Sequence, residues 1–182
     1  MDEQQAILRL KNGDLSGLEF LVMRYQVKAV RTAFLITGHS ALAEDVVHDC
    51  FMQVFRSIRS FDETRPFEPW FLRSVVNASV KLMQKSTRHV ALDEAEESDL
   101  AELAARVESI EAQVESRQVQ QQLWDAMQKL SPRQRAVVVQ RYFLDMSEKE
   151  MAQQAGSAAG TIKWLLNAAR ERLRELMQRS EL

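Results

Sequence analysis

A chain of 182 residues has room for one ordinary domain or two small ones, and 46% hydrophobic with 27% charged residues excludes disorder throughout. The formal net charge of -2 is awkward for a free-standing nucleic-acid binder, which relies on a strongly basic surface to displace counterions from phosphate. Either charge is segregated along the chain or something else supplies affinity.

The lone Cys50 excludes an internal disulfide, and with only His39, His48 and His89 available there is no clustered thiol or imidazole set for zinc. Cys50 lies on an apolar stripe without an evident base, and no Gly-rich loop is present to cradle phosphate. No enzyme, catalytic residue, metal or cofactor is expected. No run approaches the roughly eighteen apolar residues a membrane span requires, and Met1 to Gln5 is polar and acidic rather than an export signal. A soluble, cytoplasmic protein without membrane insertion is expected. With only five Gly and three Pro against abundant Ala, Leu, Glu, Gln, Arg and Met, the fold class is all-α.

In chain order, Leu18, Leu21, Val22, Tyr25, Ala29, Ala33 and Ile36 recur at helical spacing and predict a helix from Asp14 to Thr37, stopped by Gly38. Ser40 is the expected cap of the next helix, with Glu44 and Asp45 in its first turn. Its apolar stripe is Leu42, Val46, Val47, Cys50, Phe51, Val54, Phe55 and Ile58, and it should end near Ser60. Phe61 to Pro66 reads as a loop, because Arg65 precedes a proline, and a helix resumes near Phe67. Trp70, Phe71, Val75, Ala78 and Leu82 are its expected buried side, Arg73, Asn77, Lys81, Lys85 and Arg88 its exposed one.

Composition then turns acidic through Asp93, Glu94, Glu96, Glu97, Asp99, Glu102, Glu108, Glu111 and Glu115. Like charges solvate well and bury no core, so this stretch predicts a linker, its part from Leu100 to Val119 able to be helical. The expected organisation is a helical domain over 1–88, an acidic linker over 89–118 and a second small helical domain over 119–182.

Ser131-Pro132-Arg133-Gln134 combines an N-cap, a proline at the first helical position and a capping box, ahead of Val137, Val138, Tyr142 and Phe143. Ser147-Glu148-Lys149-Glu150 is a second capping box, opening a short helix through Met151, Ala152 and Ala155 that stops at Gly156. Ser157 should cap a third, longer helix. Two helices joined by a Gly-containing turn, with small Ala152 and Ala155 permitting close approach, fit a helix-turn-helix. Ile162, Leu166, Ala169, Leu173 and Leu176 would pack, leaving Thr161, Lys163, Trp164 and Asn167 to meet a major groove and Arg170, Arg172 and Arg174 to meet phosphate. The same caps and stripes also suit an antiparallel helix pair with no ligand.

Motifs through nearly the whole chain resemble the extracytoplasmic-function sigma factors of bacterial RNA polymerase. They are Gly13-Asp14, Leu21 and Arg24-Tyr25; Ala43 to Phe51; Phe61-Asp62, Arg65-Pro66-Phe67 and Trp70-Phe71; Asn77; Leu130 to Arg135; and Gly160 to Lys163. The resemblance implies a region 2-like helical bundle that docks on the polymerase clamp and melts the minus-ten element, and a helix-turn-helix domain that reads the minus-thirty-five element. It implies polymerase contacts at Asp45, Asp49, Gln53 and Arg56. It also implies promoter contacts at Phe61, Asp62, Arg73, Asn77 and Lys81 in the first domain and at Thr161, Lys163, Trp164, Asn167 and Arg170 in the second. Trp70, at core spacing, is assigned to packing rather than to stacking on a base. Core RNA polymerase, promoter DNA and an inhibitory anti-sigma factor are the implied partners. The acidic linker would either thread the polymerase's nucleic-acid channel or act as a solubilising spacer. Leu165 and Ala168 stand where the family pattern brings basic residues, and Lys81 where a polar or acidic one is common, which implies weaker phosphate contacts and an altered promoter preference. The alternative is a polymerase-independent helix-turn-helix regulator.

Overall fold

The computed structural model describes residues 1–89 and 110–179, and all its regular elements are helical. The acidic run from Asp93 to Glu108, and with it most of the expected linker, lies outside the described residues. Two compact units divide the chain, Met1–Val90 and Ala91–Leu182.

In the first unit, α1 (Glu3–Lys11) is a helix that the chain-order reading missed. Asp2 and Gln5 close a capping box at its start, and it buries Ala6, Ile7 and Leu10. Its polar opening and short stripe hid it. It lies so close to α2 (Ser16–Thr37) that a Cβ on Gly17 would sit 2.2 Å from the Ala6 carbonyl oxygen. Gly38 ends α2 at φ 79, and its N–H donates to the Phe34 carbonyl. The next helix, α3 (Ser40–Ser57), has His39 as its N-cap, so Ser40 is its first helical residue and Glu44 and Asp45 fall in its second turn. The Thr37 hydroxyl accepts from the His39 N–H and donates to its carbonyl, while the His39 side chain makes no capping bond. A single 3-10 turn (Ile58–Ser60) precedes the loop, and α4 (Phe67–His89) follows it.

α2 packs against α1, α3 and α4, and α3 also packs against α4. Their shared core is aromatic: Phe67 and Phe71 are both fully buried and stack at 5.7 Å, with Phe51 4.5 Å from Phe71 and Tyr25 5.5 Å from Phe67. Two expected faces need correction. At 100° per residue Phe55 lies at the margin of the α3 arc, and it is 41% exposed. On α4 the buried side is turned toward Leu72, Val75, Val76 and Ser79, leaving Trp70, Ala78 and Leu82 only half-buried.

In the second unit, α5 (Ile110–Gln128) runs through the domain boundary expected at 118/119, and is followed by α6 (Pro132–Tyr142), α7 (Glu148–Ala155) and α8 (Ala159–Arg179). Both expected capping boxes form, Ser131 with Gln134 and Ser147 with Glu150, and Gly156 ends α7 at φ 59. Ser157 does not cap α8. Its hydroxyl is buried with no hydrogen-bond partner among the described residues, and the Ala158 carbonyl accepts the first bonds of the helix. α8 packs on α5, α6 and α7 around Val137, Met151, Ala152, Ile162 and Leu166. Tyr142 and Phe143, expected in the apolar run, are 63% and 37% exposed, because α6 ends there and its core face is already complete at Val139. Ala155 is also exposed, so Ala152 alone gives the close approach.

Candidate nucleic-acid interface

The exposed side of α8 follows from its core side. With Ile162, Leu166 and Ala169 buried and Leu173 half-buried inward, rotation at 100° per residue leaves Lys163, Asn167, Arg170 and Arg174 within an arc of roughly 60°. Thr161 and Trp164 lie farther around the same exposed half, Trp164 at 68% exposure. All five candidate groove residues therefore reach the surface, Arg170 only in part. Arg170 donates to the Tyr142 hydroxyl at 2.8 Å and to Asn167 Oδ1 at 3.4 Å. Leu165 packs against the α7–α8 core, so a cation there would face apolar side chains; it does not stand in for a phosphate contact.

The platform under α8 is held by a residue that sequence patterning did not single out. Arg135 is buried in the first turn of α6 and donates to the carbonyls of Met127 at 3.0 Å, Gln128 at 2.8 Å and Leu130 at 3.4 Å, adding donors at and just beyond the C-terminal end of α5. Burial pulls its guanidinium down to about 10, which leaves it charged at neutral pH.

The first unit offers two exposed arcs. On α3, Asp45, Asp49, Gln53 and Arg56 fall within roughly 80° of one another and are all exposed, turned away from the Val47, Cys50 and Val54 side. On α4, Arg73, Asn77 and Lys81 share another arc of roughly 80°, also exposed. The loop from Phe61 to Pro66 precedes that helix, and it is braced. The Asp62 carboxylate accepts from the Thr64 N–H at 3.0 Å and hydroxyl at 2.6 Å, and it pairs with Arg65 at 3.2 Å. These hydroxyl and backbone bonds hold its pKa below the usual carboxylate value. Lys11, fifty residues earlier, donates to the Phe61 carbonyl at 2.8 Å and pairs with Glu63. Nothing local to the loop could have pointed to Lys11.

Phe61 is a correction. Only 6% exposed, it packs 4.7 Å from Trp70 and 5.7 Å from Phe67, so its ring is part of the core and not a surface for a base. Trp70 is half-buried in that cluster, 5.5 Å from Phe67. Cys50 is buried, and burial with the nearby Asp49 carboxylate pushes its thiol up to about 11, the opposite of an activated nucleophile. Among the described residues there is no metal-ligating cluster and no helix long and apolar enough to cross a membrane.

Two family models match the chain in order: Sigma-70 region 2 over residues 21–89, and Sigma-70, region 4 over 120–173. The ECF RNA polymerase sigma factor SigW of Bacillus subtilis is 25% identical over 181 residues, covering 96% of both chains. The ECF RNA polymerase sigma-E factor of Haemophilus influenzae is 24% identical, covering 98% of this chain and 96% of that one. Two solved structures share the fold at 22% identity. One is CnrH in complex with the cytosolic domain of CnrY, with TM-score 0.64 over 98% of this chain and 99% of that one. The other is the sigma factor RpoE in complex with the anti-sigma factor NepR from Bartonella quintana, with TM-score 0.67 over 88% and 96%.

Proposed function

This chain belongs to the extracytoplasmic-function class of the sigma-70 family, which binds core RNA polymerase and directs promoter-specific transcription initiation, and from that premise we propose that its two units divide the promoter between them. The second unit reads the minus-thirty-five element. The observation that carries this is the α8 surface, where Lys163, Asn167, Arg170, Thr161 and Trp164 stand out from a helix whose other side is fully used in packing. A helix presented that way fits a major groove, and its polar side chains suit base edges and phosphates.

The first unit melts the minus-ten element. Asn77 carries both a donor and an acceptor for the edge of an extruded base, with Arg73 and Lys81 one turn to either side for phosphate. A few kcal/mol of lost stacking and pairing must be offset there by contacts in a pocket. The braced loop after Phe61 forms its wall, with Asp62 shaping the turn and Phe61 seating it. The α3 arc of Asp45, Asp49, Gln53 and Arg56 meets the polymerase. A subunit held on a large polymerase meets DNA at high effective concentration, so a net charge of -2 is no obstacle. This also disfavours the polymerase-independent regulator, since the family match extends through region 2 as well.

The relatives solved with anti-sigma partners support an inhibitory protein partner for this chain too. The protein works in the cytoplasm, where polymerase and DNA are, and acts by binding without chemistry of its own. Run-off transcription on a promoter library with core polymerase tests the reading. Initiation at a defined promoter set is expected from chain plus core, with poor duplex binding by the chain alone. Polymerase-independent protection of one operator would overturn it.

A further inference from the structure

The exposed side chains of α8 are tied to one another and to a residue outside the helix. Tyr142, the last residue of α6, is 63% exposed and has no place in the core. Its hydroxyl accepts from Arg170 Nε at 2.8 Å, and the Arg170 Cζ lies 5.7 Å from the centre of its ring. Arg170 Nη1 in turn donates to Asn167 Oδ1 at 3.4 Å. Two of the guanidinium's five donors are thereby engaged, and three remain of the kind a phosphate takes.

We propose that Tyr142 is a positioning residue for DNA reading: it holds Arg170 in place before DNA arrives, and through Arg170 it sets the plane of the Asn167 amide. This rests on α8 being the reading helix. An unrestrained arginine loses many rotamers when it docks on a phosphate, and a side chain already ordered loses fewer on binding. The ring and hydroxyl both contribute, the ring by cation–π attraction and the hydroxyl by its hydrogen bond. The Asn167 amide accepts from Arg170 on its oxygen, which turns its NH2 donor outward. It therefore favours a base edge that offers acceptors, as guanine O6 and N7 do.

The test is a double-mutant cycle in the full chain bound to core RNA polymerase. The probe is a duplex carrying the upstream sequence that the wild-type holoenzyme selects from a randomised pool. Tyr142→Ala should weaken binding about fivefold and relax the base preference at the position Asn167 reads. Tyr142→Phe, which keeps the ring, should lose only about twofold. In an Arg170→Ala background Tyr142→Ala should change nothing further, and thermal melting should be the same for all variants because neither side chain is part of the core. If Arg170→Ala weakens binding but Tyr142→Ala is silent, or acts equally in both backgrounds, Tyr142 does not position Arg170, while α8 still reads DNA. If neither Arg170→Ala nor Asn167→Ala alters binding, the reading of α8 fails and the role of Tyr142 fails with it.

Discussion

The two units hold their surfaces in place by different means. In the first, Phe51, Phe61, Phe67, Trp70 and Phe71 build a broad aromatic core, and the loop after Phe61 is seated on it and tied down by Lys11 from another helix. In the second, Val137, Met151, Ala152, Ile162 and Leu166 form an aliphatic core under α8, with Met127, Leu130, Val139 and Ala169 also buried, and polar bonds to helix ends add to it. Two capping boxes start α6 and α7, a left-handed Gly156 ends α7, and Arg135 closes the end of α5. Satisfying unpaired backbone groups fixes helix ends beyond what apolar burial alone does. A unit with a larger core can hold an irregular loop.

That contrast can be broken at several points. The largest effect is expected on function: Lys163→Ala with Asn167→Ala should cost about 3 kcal/mol of upstream duplex binding, roughly 100-fold. Holoenzyme assembly and opening of a template with a preformed minus-ten bubble should be unchanged. Gly17→Ala should destabilise the first unit by about 3 kcal/mol, because the added Cβ meets backbone atoms of α1 and not a flexible side chain. Amide hydrogen exchange should accelerate in residues 1–89 and stay unaltered in 117–178. Arg135→Met should do the converse, by about 2 kcal/mol, since three carbonyls lose the Arg135 donors and, among the described residues, only that of Met127 keeps another, from the Leu130 N–H. Equal acceleration in both units from either substitution would show that they do not stand independently.

A smaller effect, about 1 kcal/mol, is expected from Lys11→Met, which frees the Phe61 carbonyl and Glu63. It should slow promoter opening measured by permanganate reactivity and leave upstream binding alone. The smallest is a pH effect. Hydrogen bonds from Ser147 hold the Glu150 carboxyl below its ordinary 4.5, so its contribution to the α7 cap is complete above that pH and fades as pH falls through the lowered value. Glu150→Gln keeps the box and should remove that part of the acid sensitivity of the second unit.

Local chemistry was the most legible part of this protein. The boxes at Ser131 and Ser147 and the stops at Gly38 and Gly156 stand where four-residue motifs placed them, because a cap is settled by the few residues that form it. Ser40 and Ser157 show the limit: each has the right side chain one or two residues before or at a helix start, but His39 is the N-cap of α3 and the Ser157 hydroxyl bonds nothing among the described residues. Helix faces were legible to within one turn. Phe55, Trp70 and Tyr142 lie where an arc of 100° per residue leaves the margin open, and a neighbouring helix decides which side is covered. Leu165 reads as a missing cation until the apolar cluster of Val137, Met151, Ala152, Ile162 and Leu166 is seen against it.

By itself, then, the order of residues determined that the chain is helical, where the capping boxes at Ser131 and Ser147 and the breaks at Gly38 and Gly156 fall, and which family it belongs to. These depend on propensity and on motifs a few residues long. Which aromatic ring is core and which is surface, that Lys11 pins a loop fifty residues away, and that Tyr142 braces Arg170 were decided only when the helices packed. Such pairs are distant in sequence, and no local pattern carries the geometry that brings them within hydrogen-bond reach.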